Sequence, residues 1–285
     1  MSAVRHPRPL SCLINVVYAR ADSVELALDV LGPSPLPKTP LPTVVRIDGL
    51  PAWGRGTRST AMLPFANPLL AEAGFLTVAP SVRHSGQAVF PAQLDDVRAA
   101  LRWLRRNPLG LPIAADRIGI WGQSAGGHLA ALAGLTGSPC PSGGTAEDEW
   151  DTTVRAVVTI SGPSDLLHTG GQMLNDQPSP VTALVGGDVT THRAQLRQAS
   201  PVNHVTSSAP PFLLVHGRLD ETVPYEQSER LHAALRAAGV ESEILAIDGG
   251  HHNLQADPES PYDGPVWYDV GAAAIEFFDR HLRQP

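Results

Sequence analysis

Cysteine is scarce in this chain: Cys12 and Cys140 are the only two among 285 residues. Two thiols in a chain this long make no disulfide framework, so the fold has to rest on a packed core. Basic runs are missing as well. The 21 Lys and Arg are outnumbered by 28 Asp and Glu, a net charge of -7, which argues against a nucleic-acid partner. No apolar stretch approaches membrane-spanning length, which argues against a membrane partner. The opening "MSAVRHPRPLSCLINVVYARADS" has no continuous apolar segment ahead of a small-residue cleavage site, so an unprocessed, cytoplasmic protein is expected. There is no internal repeat, no Gly-x-Gly-x-x-Gly after a strand and no phosphate loop. His251 and His252 are adjacent rather than at helical i, i+4 spacing, with no nearby Cys or Glu to complete a ligand set. Neither a metal nor a cofactor is expected.

What is present is an alternation. Short β-branched runs read as eight strands: "CLINVV", "VELALDVL", "TVVRI", "FLTVAP", "RIGIWG", "VRAVVTISG", "PFLLVHG" and "SEILAID". The first two form a hairpin around Ala21–Asp22. Between the later strands lie amphipathic stretches. The clearest is "PAQLDDVRAALRWLRRNP", with Pro91 in its first turn, Leu94, Val97, Leu101 and Leu104 at helical spacing, and Pro108 ending it. Others are the second half of "STAMLPFANPLLAEAG", stopping at Gly74, then "AGGHLAALAGL", "YEQSERLHAALRAAG" and "VGAAAIEFFDRHL". Strand alternating with helix means a mostly parallel sheet covered by helices on both faces, an α/β fold. "PSPLPKTPLP" and "GSPCPSGGT" read as surface loops, because the alternation resumes after each. Residues 1–285 are therefore expected to form a single domain, with the irregular stretch 163–205 as a small lid over the sheet's carboxyl edge.

The chemistry concentrates in "IGIWGQSAGGHLAAL". A strand ends, Gly122-Gln123-Ser124-Ala125-Gly126 follows, and a helix starts at once. This is Gly-x-Ser-x-Gly in its required strand–turn–helix setting. The turn is tight enough to strain the serine backbone, and the flanking glycines let other backbones pass. A serine that merely caps the helix would need no glycine on either side. Ser124 is the expected nucleophile. It needs a base, and the base needs an acid to orient it, in the chain order serine, acid, histidine. "PFLLVHGRLDETVPYEQ" offers Asp220 just after a buried strand; a turn or N-cap role is the competing reading. "ILAIDGGHHNLQ" offers His251 and His252 at the end of the next strand, and one of them is expected to be the base.

On these stretches, and on "YARADSVELALDVLGP", "ISGPSDL" and "ASPVNHV", the chain resembles the α/β-hydrolase superfamily. Within it the resemblance is to the carboxylesterase/lipase branch, near the BD-FAE-like (feruloyl/acetylxylan esterase) and hormone-sensitive-lipase-like groups. The resemblance implies His252 rather than His251 as the base. It also implies an oxyanion hole made by the N–H after the nucleophile, that of Ala125, together with the loop after the third strand. That loop usually reads His-Gly-Gly-Gly in the family. Here "RIDGLPAWG" puts Asp48 at the histidine, with Gly49 and Leu50 at the first two glycines; Pro51 has no N–H to give. Trp53, Arg83, His84 and Gln123 are candidate substrate contacts, and Met173 a further pocket residue. Arg83 has the alternative of a structural ion pair with Asp95 or Asp96. Asp48 is expected to turn away and bond backbone.

The function implied is hydrolysis of small-acyl carboxylic esters through a Ser-His-Asp triad and an acyl-enzyme, with a small-molecule ester as partner. Two alternatives stay open: amide or formamide cleavage, acyl transfer or a non-hydrolytic biosynthetic step on the same triad, and a non-catalytic binding protein.

Overall fold

The computed structural model describes residues 8–49, 66–137, 151–169, 179–256 and 264–283. All eight expected strands are there: β1 (Leu10–Ala21), β2 (Val24–Pro33), β3 (Leu41–Ile47), β4 (Leu76–Pro80), β5 (Ile113–Gln123), β6 (Ala156–Ile160), β7 (Phe212–Gly217) and β8 (Ser242–Ile247). They form one sheet in the order β1-β2-β4-β3-β5-β6-β7-β8. β1 pairs β2 and β2 pairs β4 antiparallel; every pairing from β4 to β8 through β3 is parallel. The opening hairpin turns at Asp22, whose φ of 54° is left-handed, a conformation aspartate tolerates better than most residues.

The helices are α1 (Ala66–Glu72), α2 (Ala92–Arg106), α3 (Ala125–Leu135), α4 (Pro180–Val185), α5 (Arg193–Gln198), α6 (Glu226–Ala237) and α7 (Gly264–Leu282), with a 3-10 turn at Pro201–His204. They cover both faces of the sheet. Leu94, Val97, Leu101 and Leu104 of α2 pack with Leu129 and Leu132 of α3 and with Leu231 and Leu235 of α6 on one side. Leu70 of α1 packs with Trp267, Val270, Phe277 and Phe278 of α7 on the other. Helix α2 ends as its sequence implies: Asn107 takes a left-handed C-cap with φ 45°, immediately before Pro108. α4 and α5 lie inside the stretch read as irregular. Each is six residues long, too short for helical periodicity to register.

Parallel strands place their carboxyl ends at one edge. The loops that follow β3, β5, β7 and β8 therefore emerge together, at the edge where open α/β sheets bind their ligands. Among the described residues no helix is long and apolar enough to cross a membrane, and no group of His, Cys, Asp and Glu is arranged to hold a metal ion.

Candidate active site

β5 runs to Gln123 and α3 starts at Ala125, so the whole reversal falls on Ser124, at φ 54° and ψ -123°. A non-glycine residue with this backbone is strained, and the surroundings must hold it there. Two hydrogen bonds do so: Ser124 N–H donates to the Ile160 carbonyl at 2.7 Å, and the Ser124 carbonyl accepts from His128 N–H at 3.0 Å. The glycines are required sterically. A Cβ at Gly122 would collide with the Gly126 carbonyl, and one at Gly126 with the carbonyl of Ile47 at the end of β3. The elbow is thus wedged against the strand whose loop carries Asp48 and Gly49. Gly49 itself passes so close that a Cβ there would press on the Gln123 carbonyl and lie 3.2 Å from Ser124 Cβ.

The Ser124 hydroxyl makes no capping bond to α3. It lies 3.0 Å from Nε2 of His252, in the loop after β8. His252 Nδ1 lies 2.9 and 3.1 Å from the two carboxylate oxygens of Asp220, in the loop after β7. An ionised carboxylate only accepts, so Nδ1 carries the proton, Nε2 presents its lone pair, and Ser124 O–H donates to it. Asp220 also accepts from the N–H groups of Thr222 at 2.9 Å and Val223 at 2.8 Å. Burial by itself would raise the Asp220 pKa. Hydrogen bonds from His216 and His252, the positive charge that His252 can carry and the Val223 N–H outweigh it and hold the carboxyl well below its ordinary value. Asp220 is therefore a fixed anion throughout the range in which a histidine titrates. His251, the rival base, points elsewhere: its Nδ1 lies 2.9 Å from Glu221.

Gln123 is buried, and its side-chain amide donates to Asn253 Oδ1 at 3.0 Å. This bond ties the elbow to the loop carrying His252. Asn253 escaped the sequence reading because nothing in its spacing marks it; only the fold brings it to Gln123. Ala125 opens α3, where the first N–H groups have no partner within the helix. One Asp48 carboxylate oxygen is buried and has no partner among the described residues; the loop backbone it was expected to bond lies outside them from residue 50 onward. Leu50, Pro51, Trp53, Cys140 and Met173 lie outside the described residues.

Arg83 is bound into a structural pairing. Its Nη2 and Nε bond Asp96 at 2.7 and 2.9 Å, and its Nη1 reaches Asp22 at 3.0 Å. The Asp96 bond in particular raises the guanidinium pKa further. This is the ion-pair alternative, with Asp96 and not Asp95 as the partner. His84 turns into its own loop, its N–H donating to Gln87 Oε1 at 3.1 Å and its Nδ1 accepting from Gly86 N–H at 3.1 Å. Ser124, His252, Asp220, Gln123, Ala125 and Gly49 thus converge, while Arg83 and His84 are engaged with other groups.

Comparison with known proteins agrees with this architecture. Residues 28–235 match the BD-FAE family model. Esterase LipC of Mycobacterium tuberculosis is 32% identical over 263 residues, covering 88% of this chain and 62% of LipC. Among solved structures, a truncated carbohydrate esterase from gut microbiota superposes with a TM-score of 0.79 at 28% identity, over 96% of this chain and 97% of that one. A bifunctional GH43-CE protein of Bacteroides eggerthii gives 0.78 at 30% identity, over 94% of this chain and 38% of that one. The chain spans between half and 62% of the length of the first curated relatives it matches. It belongs to the BD-FAE family, in the esterase branch of the α/β-hydrolase superfamily.

Proposed function

We propose that this BD-FAE family member is a serine esterase that hydrolyses carboxylic esters of small acyl groups. The observation that carries the reading is the unbroken chain Ser124–His252–Asp220, with contacts of 3.0 and 2.9 Å. In the proposed reaction Ser124 Oγ attacks the ester carbonyl and its proton passes to His252 Nε2. Asp220 stabilises the imidazolium, and the carbonyl oxygen becomes an oxyanion held by Ala125 N–H and by Gly49 or Leu50 N–H. Collapse breaks the C–O bond, and the leaving alcohol takes the proton from His252. Water then attacks the acyl-enzyme, giving a proton to the same Nε2, and Ser124 is released with its hydroxyl restored.

The oxyanion loop is where this chain departs from its family. Pro51 removes one donor, and a lost oxyanion donor costs roughly a hundred- to a thousandfold in rate. In our reading Leu50 N–H replaces it, held by Pro51, because a residue before proline is confined to extended backbone. The leucine side chain then narrows the acyl pocket. Residues 163–205, taken as the small lid of a single domain, contain no Phe, Trp or Tyr, and Leu166, Leu184 and Leu196 are spent in the core, which also favours short acyl chains. Likeness to a carbohydrate esterase from gut microbiota favours acylated sugars as the alcohol side.

The test is a series of p-nitrophenyl esters of increasing chain length, run beside a formamide, an aryl ester and an acetylated xylo-oligosaccharide. Acetate and butyrate esters are expected to turn over fastest. Preference for long-chain esters contradicts the acyl assignment, and turnover of the formamide alone contradicts the reaction class. In a structure with a phosphonate on Ser124, Leu50 N should lie about 2.7–3.1 Å from the phosphonyl oxygen. Ala125 N–H and water as the sole donors would sink the loop assignment.

A further inference from the structure

Asp220 is flanked by a second histidine. On its closed side, His216 Nε2 lies 3.1 Å from Asp220 Oδ2 and 2.8 Å from the Val223 carbonyl, and His216 Nδ1 lies 2.7 Å from the hydroxyl of Ser228 on α6. The carboxylate thus sits at the centre of a five-membered row: Ser124, His252, Asp220, His216, Ser228. The two arms differ in burial. His216 is wholly enclosed, whereas the His252 side chain is 17% exposed.

The hydrogen atoms on the closed arm are fixed by the partners. A carboxylate and a carbonyl both accept, so His216 Nε2 must carry a proton and donate to them. If Nδ1 were protonated as well, the Ser228 hydroxyl hydrogen would have no acceptor among the described residues. The arrangement that leaves nothing unsatisfied is a neutral His216 whose Nδ1 accepts from Ser228 O–H. A donor on Nδ1 also polarises the ring and strengthens the Nε2–H bond to Asp220.

We infer that His216, held in its Nε2–H form by Ser228, is a positioning residue for the proposed triad. It fixes the rotation of the Asp220 carboxylate and takes up part of its charge, and so sets how firmly Asp220 holds the proton on His252. The inference rests on the esterase reading above. Other charged groups nearby have partners of their own. Glu221 pairs with His251, and Arg218 bonds Asp248 and stacks 4.7 Å over the Tyr225 ring, which lies T-shaped against His216. Protonation of the row is therefore governed mainly by its own members. A histidine that only fills the core would affect stability when replaced, and would leave the pH dependence of turnover unchanged.

The experiment is the pH profile of kcat/KM for p-nitrophenyl acetate in the wild type and in His216→Leu, His216→Gln and Ser228→Ala. Without the donor, more of the Asp220 charge acts on the His252 ring and favours its charged form. The acidic limb of His216→Leu should move up by about half a pH unit or more. His216→Gln, which restores an N–H, should lie closer to wild type, and Ser228→Ala should move the same way by less. If the leucine variant does not fold, the serine variant and ¹⁵N NMR of the unaltered protein decide. Two histidine signals are informative: His216 should carry its proton on Nε2 with Nδ1 bare, and His252 should carry its proton on Nδ1. Unmoved limbs in the folded variants, or an Nδ1–H form of His216, overturn the inference. A wild type that turns over no ester overturns the esterase reading instead, and the tautomer measurement still reports on His216.

Discussion

Two acid–histidine pairs stand side by side at the sheet edge, Asp220 with His252 and Glu221 with His251, both at 2.9 Å. The acids are consecutive in the chain, and so are the histidines. Their surroundings differ. The Asp220 side chain is fully buried and accepts from two backbone N–H groups and two histidines. That of Glu221 is 44% exposed. An exposed pair of this kind is worth about 0–1 kcal/mol, because water screens it and both side chains lose freedom. The buried pair is preorganised: its carboxylate cannot rotate away, and the imidazole it holds points at Ser124. Residue type and separation do not distinguish a pair suited to proton transfer from a surface ion pair. Burial and saturation of the acid by donors do.

Replacing the histidines one at a time breaks this comparison most sharply. His252→Ala should lower kcat/KM for p-nitrophenyl acetate by roughly ten thousandfold, while His251→Ala should stay within about threefold of wild type. A dead His251→Ala beside an active His252→Ala would reverse the assignment. The acids should follow. Asp220→Asn should cost about a thousandfold or more, since an amide no longer fixes the histidine tautomer, and Glu221→Gln less than about threefold.

Acid titration of stability extends the contrast to a group outside the site. Burial pushes His128, whose ring bonds the Ala199 carbonyl, down from 6.5 to about 4. The unfolded chain therefore binds a proton there at a pH where the folded chain does not. The stability this gives is fully present above pH 6.5 and is lost as pH falls towards 4, up to about 3 kcal/mol. Asp220 acts lower. Its depressed pKa contributes stability above the ordinary value of 3.8 that disappears only in stronger acid. Urea denaturation from pH 7 to 4 should show the first loss, and His128→Gln should flatten it; an equal slope in that variant would refute the assignment. Among the groups that converge on Ser124, the smallest expected effect is that of the elbow tie. Gln123→Leu removes the bond to Asn253 that steadies the His252 loop, and should lower kcat about fivefold, the value of one hydrogen bond. KM should stay near wild type. A rise in KM at unchanged kcat would make Gln123 a substrate contact.

The sheet was legible in the sequence because hydrophobic period and length separate strands from helices. All eight strands were readable, and so was helix α2 with its apolar stripe. The elbow was legible for a different reason: glycines on both sides of Ser124 have no use in an ordinary helix start. His251 and His252 could not be told apart from spacing alone, because one residue of register in a loop decides which ring faces Ser124. Arg83 was ambiguous for the same kind of reason, since its partners Asp22 and Asp96 lie 61 and 13 residues away in the chain. His216 reads as one more residue of a buried strand, and only the fold sets its ring against Asp220.

Labelling by a fluorophosphonate, followed in time and mapped by mass spectrometry, tests the proposed triad most directly. The probe reacts with a serine activated by its base and needs no knowledge of the natural ester. Wild type and His251→Ala are expected to carry the adduct on Ser124 at similar rates, with His252→Ala slower by about a thousandfold or more. An unlabelled Ser124 in the wild type, or equal labelling with and without His252, would contradict the assignment.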